Sequence, residues 1–183
     1  MKKIILTVFA ASSLLLYSTQ AFALLNFSVG VPLSHTFTGK FSGGTKLESD
    51  GASGYFIQIG VPMLPGIGMD SYKAQVKCPT CDNPYYVSTT MYNLYYLLPI
   101  PIINLTLGIG TGKSQFESGG ATGDDGTATQ FYTSIGVPII PLFDIHLSYR
   151  SISSKIESTS GRDKGKKDDV GGNVMGLGIG FNF

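Results

Sequence analysis

The chain has 183 residues, with 13 Lys and Arg against 12 Asp and Glu for a net charge of +1, and it holds 24 glycines and 10 tyrosines but no tryptophan. So even a balance offers no basic field for nucleic acid. Past residue 23 no apolar run approaches the ~20 residues of a spanning helix, so a membrane protein built from this chain has to be a closed barrel, the other structure that satisfies every backbone polar group in lipid.

In chain order, Lys2 and Lys3 precede an apolar run from Ile4 to about Tyr17 and a small-x-small ending, Ala21-Phe22-Ala23. This is the pattern of a secretory signal peptide cleaved after Ala23, which leaves residues 24–183 as one domain. No Cys follows the cleavage site to carry a lipid anchor. Leu25, Phe27, Val29, Val31 and Leu33 then alternate with Asn26, Ser28, Gly30, Pro32 and Ser34. That period of two predicts a strand over 24–38, with His35 at the membrane interface near its outer end. A polar link follows, and Tyr55, Ile57, Ile59 and Val61 against Phe56, Gln58, Gly60 and Pro62 predict a second strand over 53–62. In 67–77 the apolar parity changes, from Ile67 and Met69 to Tyr72, Ala74 and Val76, which predicts a strand with a bulge near Asp70-Ser71.

The next link holds Cys78-Pro-Thr-Cys81. This spacing fits a thioredoxin-type redox pair, half a zinc site or a small loop disulfide. The other zinc ligands and the βα context are missing, and an exported chain meets an oxidising compartment, so the disulfide is expected. A Tyr-rich strand over 84–98 follows, with Tyr92, Leu94, Tyr96 and Leu98 outward. In 102–116, Ile103, Leu105, Leu107 and Ile109 oppose Asn104, Thr106, Gly108 and Gly110. Its end, GIGTGKS, looks like a phosphate-cradling loop, but the first glycine of that pattern falls on Leu107 and the polar loop ESGGATGDDG follows instead of a helix. The segment is the end of a strand. Strands over 127–137, 142–158 and 170–183 complete the set, the last alternating Met175, Leu177, Ile179, Phe181 and Phe183 with Gly176, Gly178, Gly180 and Asn182. RDKGKKDD, at 162–169, is a solvated loop whose Lys and Arg can meet lipopolysaccharide phosphates.

One face of these strands is Leu, Ile, Val and Phe, and the other is Gly, Ser, Asn, Gln, Asp, His and Arg. Gly and small polar groups make no core of ordinary density in a soluble domain. They do fill a narrow barrel lumen, so the predicted fold is all-β: an eight-stranded antiparallel up-and-down transmembrane barrel, apolar outside with a Gly/polar lumen. Three links, VPMLPGI, LLPIPII and VPIIPLF, are short and uncharged, each with two prolines where a strand should stop. They alternate with four polar and mostly longer links, as short periplasmic turns alternate with outer loops, and an even strand number puts both termini on the periplasmic side.

In these features, over the whole of 24–183, the chain resembles the small eight-stranded outer-membrane proteins, the OmpA-transmembrane, OmpX and OmpW-like group. The resemblance implies a monomer in the bacterial outer membrane, without a cofactor, in contact with outer-membrane lipids and lipopolysaccharide. It also implies that the barrel-assembly machinery reads Phe183, with Phe181 and Ile179, as the insertion signal. Unlike full-length OmpA, no peptidoglycan-binding domain is expected after the last strand.

Asp144, His146, Ser148 and Arg150 share the inner face of strand seven, and Lys73, Gln58 and Asn104 are expected to join them in a lumen polar network, since enclosed charges must be paired or hydrated. His146-Leu147-Ser148 is similar to the His and Ser two apart in outer-membrane lipid A deacylases. Here both residues point inward near the periplasmic turns, away from the leaflet that holds lipid A. The expected function is a structural or interaction role through exposed loops, without catalysis. The alternatives are a narrow conduit for small apolar or ionic solutes and a lipid-modifying enzyme. If Phe183 is the insertion signal, Phe183→Ala lowers the amount of barrel recovered from membranes and leaves degraded periplasmic chain; fractionation with immunoblotting reads both.

Overall fold

The computed structural model describes residues 25–40, 44, 46–77, 84–100, 103–118, 121–140, 142–158 and 164–183. The expected signal peptide and the Cys78/Cys81 pair lie outside the described residues. Nine strands form: β1 (Asn26–Phe37), β2 (Ser49–Gly60), β3 (Pro65–Val76), β4 (Tyr85–Ile100), β5 (Ile103–Ser118), β6 (Ala121–Ile140), β7 (Phe143–Glu157), β8 (Lys167–Asp169) and β9 (Gly172–Asn182). Each pairs antiparallel with its neighbour, and β9 closes the ring between β7 and β1. The three-residue β8 keeps the register of β9 against β7, with Lys155↔Asp169 following Ile152↔Gly172, so β8 and β9 form one wall strand. The result is a closed eight-stranded barrel, whose β1–β2 seam is laddered over Asn26–Gly30 and Phe56–Gly60.

The first and last described residues lie at one rim, where Leu25 and Phe183 exchange backbone hydrogen bonds of 3.0 and 2.9 Å. The three proline-containing links share this near end. At the first, Leu64 N donates to Val61 O at 3.0 Å and Met63 takes a φ of 65°, so the turn is tight and Pro65 opens β3. The other two differ from expectation. Pro99 and Pro138 stay in register with Asn104 and Asp144, and the ladder slips only between Pro138 and Ile140. A proline at the end of a strand loses one donor without ending the wall. At the far end β5 runs to Ser118 and β6 starts at Ala121, so most of the polar stretch predicted as a long loop is hairpin.

Outward side chains around the near and middle barrel are apolar, among them Val31, Ile57, Ile67, Leu94, Ile109, Ile135, Leu147 and Leu177. Tyr92, Leu94 and Tyr96 are exposed as expected, and Phe143, Phe181 and Phe183 form an aromatic group at the near rim. Toward the far end the outward positions become polar: Lys73, Ser88, Thr90, Thr111, Lys113, Thr127, Ser151 and Ser153. Inside, the opposite change occurs. Phe37, Leu47, Ala74, Val76, Val87, Ile156 and Val170 form a buried apolar cluster there, with Phe116 against it. The wall is therefore apolar-out in one part and apolar-in in the other.

This inversion corrects two expectations. The ladders from β3 to β4 and from Ser53–Ile59 to Ile67–Lys73 run without a slip, so no bulge lies at Asp70-Ser71. Tyr72, Ala74 and Val76 change apolar parity because they point inward, Tyr72 beside Phe56 and Ala74 and Val76 in the far cluster, while Ile67 and Met69 face outward. The bulge sits in β1, where the register with β9 shifts between Pro32 and Ser34. The extra residue turns His35 from the expected interface into the interior, edge-on to Phe37 with ring centroids 4.3 Å apart. A soluble-type core at the far end predicts that Ile156→Ala costs about 2–5 kcal/mol, whereas Ser153→Ala on the outer face changes stability by no more than about 0.5 kcal/mol. Urea unfolding of the barrel in lipid vesicles measures both.

Candidate functional site: the polar lumen

Because successive side chains of a strand alternate faces, β7 sends Asp144, His146, Ser148 and Arg150 into the lumen in a column. At mid-barrel the Arg150 Nε lies 3.0 Å from Asp70 Oδ2, and both side chains are almost wholly enclosed. The guanidinium carbon sits 3.5 Å from the ring centroid of Phe56 and 5.0 Å from that of Tyr132. Arg150 also donates to Ser148 Oγ, which in turn donates to Gly176 O at 3.3 Å. On the other side of the pair, Gln130 Nε2 donates to Asp70 Oδ2 and to Asn93 Oδ1, each at 2.6 Å. The ion pair is thus fixed from β2, β3, β4, β6 and β7, and the cation is shielded by two aromatic faces.

Nearer the termini, Asp144 Oδ1 meets His146 Nδ1 at 3.2 Å, and Asp144 Oδ2 accepts from Asn104 Nδ2 at 3.0 Å and Asn182 Nδ2 at 3.3 Å. Gln58 Nε2 donates to the Tyr132 hydroxyl at 2.7 Å and Ser28 Oγ donates to Gln58 Oε1 at 3.1 Å, which joins the two levels. Glycine makes room for the bulky members. A Cβ on Gly108 would stand 2.2 Å from the Tyr132 ring, and one on Gly178 would stand 2.2 Å from His146 Nε2. Two lumen cavities among the described residues are small: about 20 Å³ for water centres beside Asn26, Gln58, Asn104, Asp144 and His146, and about 10 Å³ beside Phe56, His146 and Arg150. Each holds no more than about a water or two.

Of the residues expected in the network, Asp144, His146 and Arg150 line the lumen, with Gln58, Asn104 and Ser148. Lys73 does not. Its side chain is half exposed on the outer face at the far end, 2.5 Å from Glu117 Oε2, and holds the Glu117 carboxyl below the usual carboxylate range. With no bulge at Asp70-Ser71, position 73 keeps outward parity and position 70 points inward. Asp70 is thus the partner of Arg150 that sequence reasoning missed. Its signal was a lone carboxylate on the inward parity of β3.

The His146/Ser148 pair forms no nucleophile–base couple: Ser148 Oγ donates a hydrogen bond to Gly176 O, and His146 turns Nδ1 to Asp144. Among the described residues no group of three His, Cys, Asp or Glu side chains is placed to hold a metal ion.

Neisserial surface protein A superposes on this barrel with a TM-score of 0.53 at 12% identity, over 87% of this chain and 97% of that one. The chain has the fold of the small eight-stranded outer-membrane barrels. Two more such structures align over similar lengths: OprG from Pseudomonas aeruginosa, with 13% identity, TM-score 0.48 and coverage of 88% of this chain and 97% of that one, and Ail of Yersinia pestis, with 17%, 0.45, 87% and 97%. No protein-family model and no curated protein matches the chain.

Removing one member of the central pair strands the other inside the barrel, so Asp70→Ala or Arg150→Ala destabilises by about 3–5 kcal/mol. Replacing both, as Asp70→Leu with Arg150→Met, recovers most of that loss. A double-mutant cycle in urea reads the coupling, and additive losses would contradict it.

Proposed function

We propose that this chain is an integral protein of the bacterial outer membrane that neither conducts solutes nor catalyses a reaction, and that acts as a structural or interaction protein through its far end. The observation that carries this reading is the filled lumen. The Asp70–Arg150 pair, the Phe56 and Tyr132 rings and the far apolar cluster follow one another along the barrel, and the two cavities beside Asp144, His146 and Arg150 are water-sized. An eight-stranded barrel has an interior that side chains fill, and here they do.

The far end carries the longer links and the hairpins that extend past the apolar band, so it faces the exterior, and both termini face the periplasm. Against catalysis stands the diversion of Ser148 Oγ to Gly176 O, which leaves the His146/Ser148 pair without a poised nucleophile. Lipids of the outer membrane and lipopolysaccharide surround the band, insertion runs through the barrel-assembly machinery, and the protein works as a monomer.

Purified barrel in planar bilayers is expected to give no stable conductance steps, and liposomes that contain it are expected to retain small sugars and ions. Porin-like steps from the unmodified protein would transfer the reading to a conduit. Heat-dependent gel migration of the same sample shows that the barrel tested was folded.

A further inference from the structure

The three links at the near rim, residues 61–67, 97–103 and 137–143, contain no residue with a polar side chain. Met63, Leu64, Ile139, Ile140 and Leu142 are more than half exposed there, and Val61, Ile100 and Phe183 are exposed with them. Turns that stand in water are ordinarily built from Gly, Asn, Asp and Ser. Large apolar side chains gathered on one rim mark a contact surface instead. The backbone of these links is also short of free polar groups. Each link has two prolines, which carry no N–H, Leu64 N is bonded to Val61 O, and Leu142 O accepts from Asn182 N at 3.1 Å. The ladder runs on to Ile100↔Ile103 and Ile140↔Phe143, so little chain is left outside it. Lipid accepts only backbone whose donors and acceptors are met within the protein, and these links come close to that condition.

The outward apolar run within each strand is short for a bilayer. At ~3.3 Å per residue and a tilt of ~40°, it rises about 10 Å from Ile145 to Tyr149 on β7, and about 15 Å from Ile103 to Ile109 on β5 and from Phe181 to Met175 on β9. Ser151, Thr111 and Asn173 end these runs on the far side. The apolar band of an outer-membrane barrel is ~25 Å tall, so the strands fall short by about 10 to 15 Å. The links carry on the same apolar surface and make up the height.

We infer that the near rim, with Met63, Leu64, Ile100, Ile139, Ile140 and Leu142, sits inside the apolar layer in contact with acyl chains of the inner leaflet, and does not stand in the periplasm. The inference rests on the reading of this barrel as an outer-membrane protein with its near end toward the periplasm. Continuity with the lipid-facing band selects lipid over a protein as the occupant. Leu147 and Ile145 lead to Leu142 and Ile140 without an outward polar side chain between them. A docking site for a protein carries hydrogen-bonding groups around its edge, and these links offer few. The far end is then the part of the described barrel that stands in water, and contact with a soluble partner is concentrated there.

The chain has no tryptophan, so a single introduced one reports its own surroundings. Four variants are folded into phosphatidylcholine vesicles: L64W and I139W on two different links, L147W in the band and S153W on the outer face of the far end. Heat-dependent gel migration shows that each barrel is folded. Trp suits the boundary of an apolar layer, so the two link variants are expected to fold like the parent. Their emission is expected to fall in vesicles of lipid brominated on its acyl chains by about as much as that of L147W, and to resist iodide in the water on both sides of the membrane. S153W is expected to show the reverse. Iodide quenching at either link, without loss to brominated lipid, overturns the inference and would leave the links as a docking surface for a soluble partner. L147W untouched by brominated lipid would instead overturn the reading of the band as lipid-facing, and the inference with it.

Discussion

The barrel is organised by one solvent constraint: a strand that leaves a bilayer changes the medium on its outer face while its inner face stays enclosed. Within lipid, every backbone donor and acceptor must be bonded inside the ladder, and apolar side chains must face out. Ile57, Ile67, Leu94, Ile109 and Leu147 meet that requirement, and the lumen beside them is free to be polar. Beyond the band, water takes the outer face. Lys113, Thr127 and Ser153 now face out, and the interior must supply the hydrophobic stabilisation that a water-soluble sheet needs, which Val76, Val87, Ile156 and Val170 provide. The same eight strands thus form a membrane barrel and, continuing past it, a soluble-type barrel stacked on it.

Between those parts stands the Asp70–Arg150 pair. Enclosed charges are costly to desolvate, and a pair of this kind adds stability only when its remaining hydrogen-bonding capacity is met. Gln130 and Ser148 meet part of it, and the rings of Phe56 and Tyr132 cover the faces of the guanidinium. The groups come from four strands, so the pair fixes the relative positions of distant parts of the wall. It also occupies the middle of the lumen.

Most of the membrane-facing surface was legible in the sequence, because alternation reports which residues share a face. What alternation leaves open is why its phase changes. Two causes give the same sequence signal: an extra residue in the strand, or a change of solvent outside it. At Asp70-Ser71 the cause is solvent, and reading it as a bulge sent Lys73 inward and hid Asp70. In β1 the cause is an extra residue, but Leu33 and Ser34 are both outward and mask it, so His35 was placed at the interface although it is buried. Pro32, which has no N–H for the ladder, was the local mark of that slip. The column on β7 was read directly, since no bulge and no change of solvent falls between Asp144 and Arg150. Its partners from other strands depended on register, which one strand's sequence does not carry.

The division of the wall also separates what the protein can change without refolding from what it cannot. In the lumen Tyr132 and His146 each lie over a glycine paired with them on the adjacent strand, Gly108 and Gly178, so a side chain added at either glycine displaces its partner. Close packing of that kind couples neighbours and leaves little room for a new binding function. On the outer face of the far end, side chains touch water on one side, and exposed ion pairs such as Lys113–Asp125 contribute little to stability. Residues there are free to be chosen for what they contact. A filled interior and a permissive exterior are therefore complementary: the lumen network holds the barrel in one register, and that fixed register leaves the outer face of the far end free to vary without disturbing the wall.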